Sequence, residues 1–352
     1  MVLLTVALAG IASWLGLAVL RPLAVTLNLV DLPNGRKMHV GAVPLIGGLA
    51  IFSGLTLAWG LMMPMAHGYG VFFVCAFMLV MVGALDDAMD LSARSRLIAQ
   101  ILTAITLVLG TGQYLQSLGD LAGFGAIDLT LFIGWAVTTA AVIGATNAFN
   151  MVDGIDGLAG TLGLVALAAL SLLFYAHPAH GPDLVFATGL CVALIPYLLI
   201  NLGLIPGHQK VFLGDAGSIF LGFAIIWLLV RASQGDEPVM RPVTALWLVA
   251  VPLMDMVSIM ARRLRRGQSV MAADRQHLHH MLLRAGCTQG QALACISAAA
   301  VLLSIFGLAG ESFAVPEWLM FGSFLAVFVI YDFAASQFWR SSVVYRSASE
   351  DK

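Results

Sequence analysis

Long apolar runs, broken at intervals by short polar clusters, organise this chain from end to end. The runs fall at about 2–20, 44–63, 68–85, 97–112, 127–146, 159–175, 184–203, 218–231, 242–260, 291–309 and 317–335. A helix needs about 20 apolar residues to cross one bilayer. The pattern therefore predicts about eleven transmembrane helices in an all-α, polytopic integral membrane protein. A β-barrel is excluded, because its strands would alternate polar with apolar and these runs are continuous. The 218–231 run is short and is expected to extend into its flanking loops. No repeat period or low-complexity tract divides the chain, so 1–352 reads as a single integral-membrane domain.

Composition agrees and narrows the class. Residues are 60% hydrophobic and only 10% charged, whereas a soluble domain carries roughly 25% charged residues. A soluble enzyme, a disordered chain and a coiled coil all fall by that comparison. Cys75, Cys191, Cys287 and Cys295 show no C-x-x-C spacing and three lie in apolar segments, which argues against a disulfide framework or a structural zinc site. The first apolar run has no basic residue before it, unlike a secretory signal, and reads as a retained helix.

Charge placement sets the expected orientation. With the N-terminus outside, the inside segments are 21–43, 86–96, 147–158, 204–217, 261–290 and the tail 336–352. They hold fifteen of the seventeen Lys and Arg residues, leaving only Arg231 and Arg241 outside. The positive-inside rule then puts the N-terminus in the periplasm and the C-terminus in the cytoplasm.

Nearly every unusual polar cluster falls on that inner side. Asp86-Asp87-Ala88-Met89-Asp90 follows directly on an apolar helix. Like charges so close repel, and keeping them makes sense where a cation or proton is held; the alternative is a solvated loop beside Arg94 and Arg96. In Asn147-Ala148-Phe149-Asn150-Met151-Val152-Asp153-Gly154-Ile155-Asp156-Gly157, polar groups recur every three residues until glycines interrupt the helix. Amides and carboxylates there suit a nucleoside, a sugar or Mg²⁺, or a plain capping turn. Gly214-Asp215-Ala216-Gly217-Ser218 opens a helix, where Asp215 and Ser218 either cap it or serve a Mg²⁺-diphosphate. Arg262, Arg263, Arg265 and Arg266 precede His277-Leu278-His279-His280. The arginines either anchor a helix at the anionic leaflet or meet phosphate, and the imidazoles suit phosphate as well as metal. Finally, Arg36, Lys37 and His39 in Asp31–His39 suit a lipid phosphate at the surface, or an interfacial anchor.

Taken in order, these clusters resemble the polyprenyl-phosphate N-acetylhexosamine-1-phosphate transferases over almost the whole chain. Asp274-Arg275-Gln276-His277-Leu278-His279-His280, a leucine-rich stretch and Arg284-Ala285-Gly286 look like the branch that uses undecaprenyl phosphate and GlcNAc-1-phosphate. Leu278 is the one departure, where that branch commonly has isoleucine; the muramyl-pentapeptide branch has a different histidine loop. The resemblance implies transfer of GlcNAc-1-phosphate from UDP-GlcNAc to undecaprenyl phosphate, releasing UMP, with Mg²⁺ or Mn²⁺. It implies a bacterial inner-membrane enzyme that primes O-antigen or enterobacterial common antigen synthesis and is inhibited by tunicamycin-type nucleosides. It assigns Asp215, with Asp156 second, to metal. Asn150, Asp153, Asp156, the four arginines and His277, His279 and His280 are assigned to the donor. Asp86 and Asp87 fall to catalysis on the lipid phosphate, held by Arg36, Lys37 and His39. The expected partners are both substrates and membrane lipid, not nucleic acid, and a homodimer is compatible with them. The competing enzymes use another UDP-amino sugar or UDP-MurNAc-pentapeptide. A secondary transporter is the reading from another class, supported by Asp255 and Asp332 inside apolar runs.

Overall fold

The computed structural model describes residues 1–32, 41–65, 68–269 and 276–350, with side chains as far as 339. Arg36, Lys37 and His39 lie outside the described residues. Thirteen α-helices follow in chain order: α1 (Val2–Thr26), α2 (Gly47–Met62), α3 (Tyr69–Met89), α4 (Ala93–Thr111), α5 (Leu131–Val152), α6 (Leu158–Tyr175) and α7 (Gly181–Asn201), then α8 (Gly214–Ser233), α9 (Pro242–Leu248), α10 (Ala250–Arg265), α11 (Leu278–Arg284), α12 (Gln289–Ser312) and α13 (Glu317–Glu350). Strands are confined, among the described residues, to the antiparallel pair β1 (Val30–Asp31) and β2 (Val43–Pro44).

Each predicted apolar run finds a helix. Among the described residues, nine helical spans are long and apolar enough to cross a membrane, and a tenth if α9 and α10 count as one. Helix α2 is apolar but has only 16 residues, about 24 Å at 1.5 Å per residue. Three expectations need correction. The 242–260 run is not one helix: it breaks at Val249, and its two halves meet at 84°. Pro252 supplies the reason, since it has no N–H for the carbonyl one turn back and is tolerated only in a helix's first turn. The 261–290 loop contains the end of α10 and the short α11, and the tail continues as helix α13 to Glu350.

Helix α8 is the axis of the assembly, with 89% of its apolar window buried. Lipid tails are as apolar as leucine, so close van der Waals packing rather than the hydrophobic effect must hold such helices together. Small residues make that approach: a Cβ on Gly48 of α2 would lie 2.1 Å from the Gly217 backbone, and one on Gly83 of α3 would lie 2.5 Å from Ala216. Both contacts sit at the start of α8, and they draw the ends of α2 and α3 onto the Gly214–Ser218 turn.

Candidate active site

Adjacent residues on a helix point about 100° apart, so Asp86 and Asp87 at the end of α3 meet different neighbours. Asp86, 6% exposed, accepts hydrogen bonds from Arg96 Nη1 at 2.6 Å and the Leu91 amide at 2.7 Å. Asp87 turns to α8 and accepts from the amides of Asp215 (2.9 Å) and Ala216 (3.3 Å), so it caps that helix from another one. Gly214 makes this possible. Its φ is +74°, and a Cβ there would stand 2.6 Å from Asp87 Oδ2.

Because Asp87 caps α8, Asp215 does not. Its Oδ1 accepts from Asn150 Nδ2 at 2.8 Å, and its Oδ2 lies 3.4 Å from Arg96 Nη1. Asn150 Nδ2 also reaches Ser218 Oγ at 3.0 Å, and Asn147 in the turn above donates to Gln100 Oε1 at 2.9 Å. Three of the sequence clusters are thus joined through Arg96 and Asn150. Sequence reasoning treated Arg96 only as a neutralising neighbour and missed its bridging role.

Beyond α5 the chain turns through residues 153–157. Burial, with Asp87 and Asp156 nearby, pushes the Asp153 carboxyl up to about 7. Asp156 is ion-paired with Lys210, a partner signalled only by its being the lone cation of the 204–217 segment. Gly154 receives the histidine loop: a Cβ there would lie 2.1 Å from His279 Nε2. His279 is 2% exposed and its Nε2 has no hydrogen-bond partner among the described residues. Burial, then His280 and His277, push its pKa down to about 3, so the ring is neutral at physiological pH. His277 and His279 stack at 5.5 Å, and His280 lies 4.2 Å from His279, ring centre to ring centre.

The arginine run is divided in its tasks. Arg262 is buried and donates to Ser258 Oγ (2.9 Å) and the Gln276 carbonyl (2.9 Å), bracing the base of the histidine loop. Arg265 pairs with Asp332 of α13 at 3.0 Å, while exposed Arg266 reaches Gln276 Oε1 at 3.3 Å. Arg263 is buried beside them. The two acids that favoured a transporter therefore serve this loop: Asp332 through Arg265 and Ser258, Asp255 through His277.

The donor set fits a hard divalent cation in kind. Asp86, Asp87, Asp153 and Asp215 supply carboxylate oxygens, and Asp87 and Asp156 add to the burial that raises the Asp153 carboxyl. Among the described residues, no group of three or more His, Cys, Asp or Glu side chains is arranged to hold an ion. Mg²⁺ does not require such a cage, since it is commonly bound by one or two carboxylates together with substrate phosphates.

The fold is that of a polytopic helical membrane protein with acids, amides and imidazoles gathered at one end, and the chain belongs to glycosyl transferase family 4, whose model matches residues 69–233, which makes it a membrane-embedded transferase. Similar curated proteins carry the name undecaprenyl-phosphate alpha-N-acetylglucosaminyl 1-phosphate transferase. That of Yersinia pestis is 44% identical over 92% of this chain and 88% of its own length. The Salmonella typhi protein is 42% identical over 91% and 87%. The Pasteurella multocida protein is 41% identical over 96% and 94%.

Proposed function

We propose that the chain transfers GlcNAc-1-phosphate from UDP-GlcNAc to undecaprenyl phosphate, releasing UMP. The names of its relatives support the reaction. The observation that carries it to these residues is the convergence of Asp87, Asn150 and the Asp86-paired Arg96 on Asp215 at the end of apolar helices. A water-soluble nucleotide sugar and a membrane-embedded phosphate can meet only at such an edge. The chain acts as one domain, 1–352, in a bacterial inner membrane, and its product primes O-antigen or enterobacterial common antigen synthesis.

In this reading an oxygen of the lipid phosphate attacks Pβ of the donor. A new P–O bond forms, the bond from Pβ to the bridging oxygen breaks, and that oxygen leaves on UMP with the sugar's anomeric bond untouched. Phosphate is already a competent oxygen nucleophile, so the protein's task is positioning and offsetting charge. Asp215, with Asp156 second, would hold Mg²⁺ or Mn²⁺, which when bound neutralises diphosphate charge. Asn150, Asp153 and the His277–His280 loop hold the donor, and neutral His279 offers it hydrogen-bonding capacity rather than charge. Asp86 and Asp87 position or deprotonate the acceptor phosphate, to which Arg36, Lys37 and His39 bind. Arg262, Arg263, Arg265 and Arg266 keep the donor loop shaped or meet its phosphates.

Purified protein given undecaprenyl phosphate and labelled UDP-GlcNAc, UDP-GalNAc or UDP-MurNAc-pentapeptide tests the reading. UMP release that needs the lipid and prefers UDP-GlcNAc is expected; release favouring another donor replaces the substrate. With the lipid withheld, stoichiometric UMP release and label kept on the protein would replace direct attack by an aspartyl intermediate. Orientation has its own check: tags after Gly119, Gly181 and Gly235 should be periplasmic and tags after Arg266 cytoplasmic. A cytoplasmic signal at Gly181 overturns that orientation.

A further inference from the structure

Asp255 lies six residues past the break at Val249, on a helix that meets its predecessor at 84°. It is 1% exposed. A carboxylate at such depth is costly unless donors surround it. Three do, from two separate segments: His277 Nδ1 at 2.9 Å, the Leu278 amide at 3.0 Å and the Tyr331 hydroxyl of α13 at 2.6 Å. Two of the three belong to the junction where the histidine loop becomes α11. Arg262 grips the preceding residue by its carbonyl, so 276–278 is held from both sides.

The consequences run outward along the loop. A carboxylate acceptor fixes the proton of His277 on Nδ1 and leaves Nε2 as the nitrogen facing away from Asp255. The His277 ring lies parallel to His279, within 5°. His279 in turn occupies the space that a side chain at 154 would fill, with its Nε2, unpartnered among the described residues, buried beside the Asp153 turn. The chain of contacts therefore passes from α10 and α13 through His277 to the turn where α5 ends.

We propose that Asp255, assisted by Tyr331, is a positioning residue of the donor site, acting through His277 to set the tautomer and the seat of the histidine loop. This rests on the reading that the loop contacts the nucleotide sugar. It also gives the last helix a part in donor recognition, although no residue of α13 is placed against the donor. Loosening Asp255 should hurt use of the donor and spare the lipid.

A double-mutant cycle on the full-length protein tests this, with Asp255→Asn, His277→Ala and the double variant assayed against both substrates. Asp255→Asn is expected to lower kcat/KM for UDP-GlcNAc by about 10–100-fold, as loss of a partner that orients a ligating histidine does, with the KM for undecaprenyl phosphate unchanged. On the His277→Ala background the same change should cost less than about twofold, because the residue it acts through is gone. Fold-changes that multiply, or an equal rise in the KM for the lipid, would overturn the inference and make Asp255 a structural residue only. Tyr331→Phe keeps the carboxylate and its histidine, and covers the case in which Asp255→Asn does not fold. Its expected loss of a few-fold in donor kcat/KM should likewise vanish without His277, and persistence of that loss would count against the inference in the same way. Should His277→Ala alone leave donor use at the wild-type level, the donor reading of the loop falls, and this inference with it.

Discussion

Two clusters at opposite ends of the helix assembly handle buried charge in opposite ways. At the end away from the candidate site, Asp183 is fully buried and every lone pair is spoken for. Arg231 donates from Nε at 2.5 Å and Nη2 at 3.0 Å, Tyr69 from its hydroxyl at 2.5 Å, and His180 Nδ1 stands at 2.8 Å. The Arg231 guanidinium also lies over the rings of Tyr69 and Trp227, at 5.4 and 5.3 Å. Nearby, Arg241 and Thr244 meet Glu311, and the remaining donors of Arg241 go to the Val315 and Gly310 carbonyls. Asp183 and Glu311 each have a base. At the site end, Asp86, Asp87, Asp153 and Asp215 crowd together, and the single guanidinium of Arg96 touches two of them. Charge that holds helices together is balanced, whereas charge of one sign in surplus needs a ligand to complete it.

The largest effect that sharpens this contrast is expected at Asp215. Asp215→Asn should lower turnover by about 10³-fold or more, roughly 4 kcal/mol in barrier, while the melting temperature holds or rises because surplus charge has been removed. UMP release per folded molecule measures it, and activity within about tenfold of wild type would remove Asp215 from the reacting centre. The opposite end should answer in the opposite currency. Asp183→Asn or Arg231→Gln leaves a buried charge unpaired, at a cost of about 3–5 kcal/mol, or roughly 10 °C for a large domain. The molecules that stay folded should keep their kcat and both KM values. A loss of turnover at an unchanged melting temperature would break the comparison by placing Asp183 in the mechanism. A smaller effect is expected from Arg96→Lys, which keeps the charge but not the rigid, planar head whose Nη1 is set between Asp86 and Asp215. About tenfold slower turnover is expected, and wild-type turnover would mean that one point charge suffices.

Much of this was legible in the chain because lipid imposes a hard rule. A run of about 20 apolar residues has few other uses, so the helices could be counted, and polar clusters such as Asp86-Asp87 or Gly214-Asp215 stood out against them. What periodicity does not carry is the choice of partner. Asp215 suited a metal or a cap and Asp87 a cation or a solvated loop, and only the folded chain gives the cap to Asp87 and leaves Asp215 to Asn150 and Arg96. The bend at Val249 was written in Pro252 but hidden by an unbroken apolar run. Asp255 and Asp332 looked like transporter acids because His277, Tyr331 and Arg265, which explain them, come from distant segments. Of the histidine loop, the sequence revealed the histidines but not the residues that hold them.

The smallest effect expected concerns Asp153, and its sign separates a desolvated acid among acids from a paired one. The folded-state carboxyl titrates at about 7, raised first by burial and then by Asp87 and Asp156, against an ordinary value of about 3.9. Between those values the folded protein holds a proton that the unfolded chain has released. Stability from this group is therefore fully present below about pH 4, is lost as the pH rises to about 7, and falls no further above that. Asp153→Asn has no proton to lose, so its stability relative to wild type should improve as the pH moves from 5 to 8. The group is only partly shielded from solvent, so the gain is discounted to about 1 kcal/mol, roughly 2 °C in melting temperature. A paired acid such as Asp183 should show no such gain on conversion to asparagine, only a loss. Parallel melting-temperature curves for wild type and Asp153→Asn across that range would mean that Asp153 ionises as in water, with neither burial nor Asp87 and Asp156 acting on it at this turn.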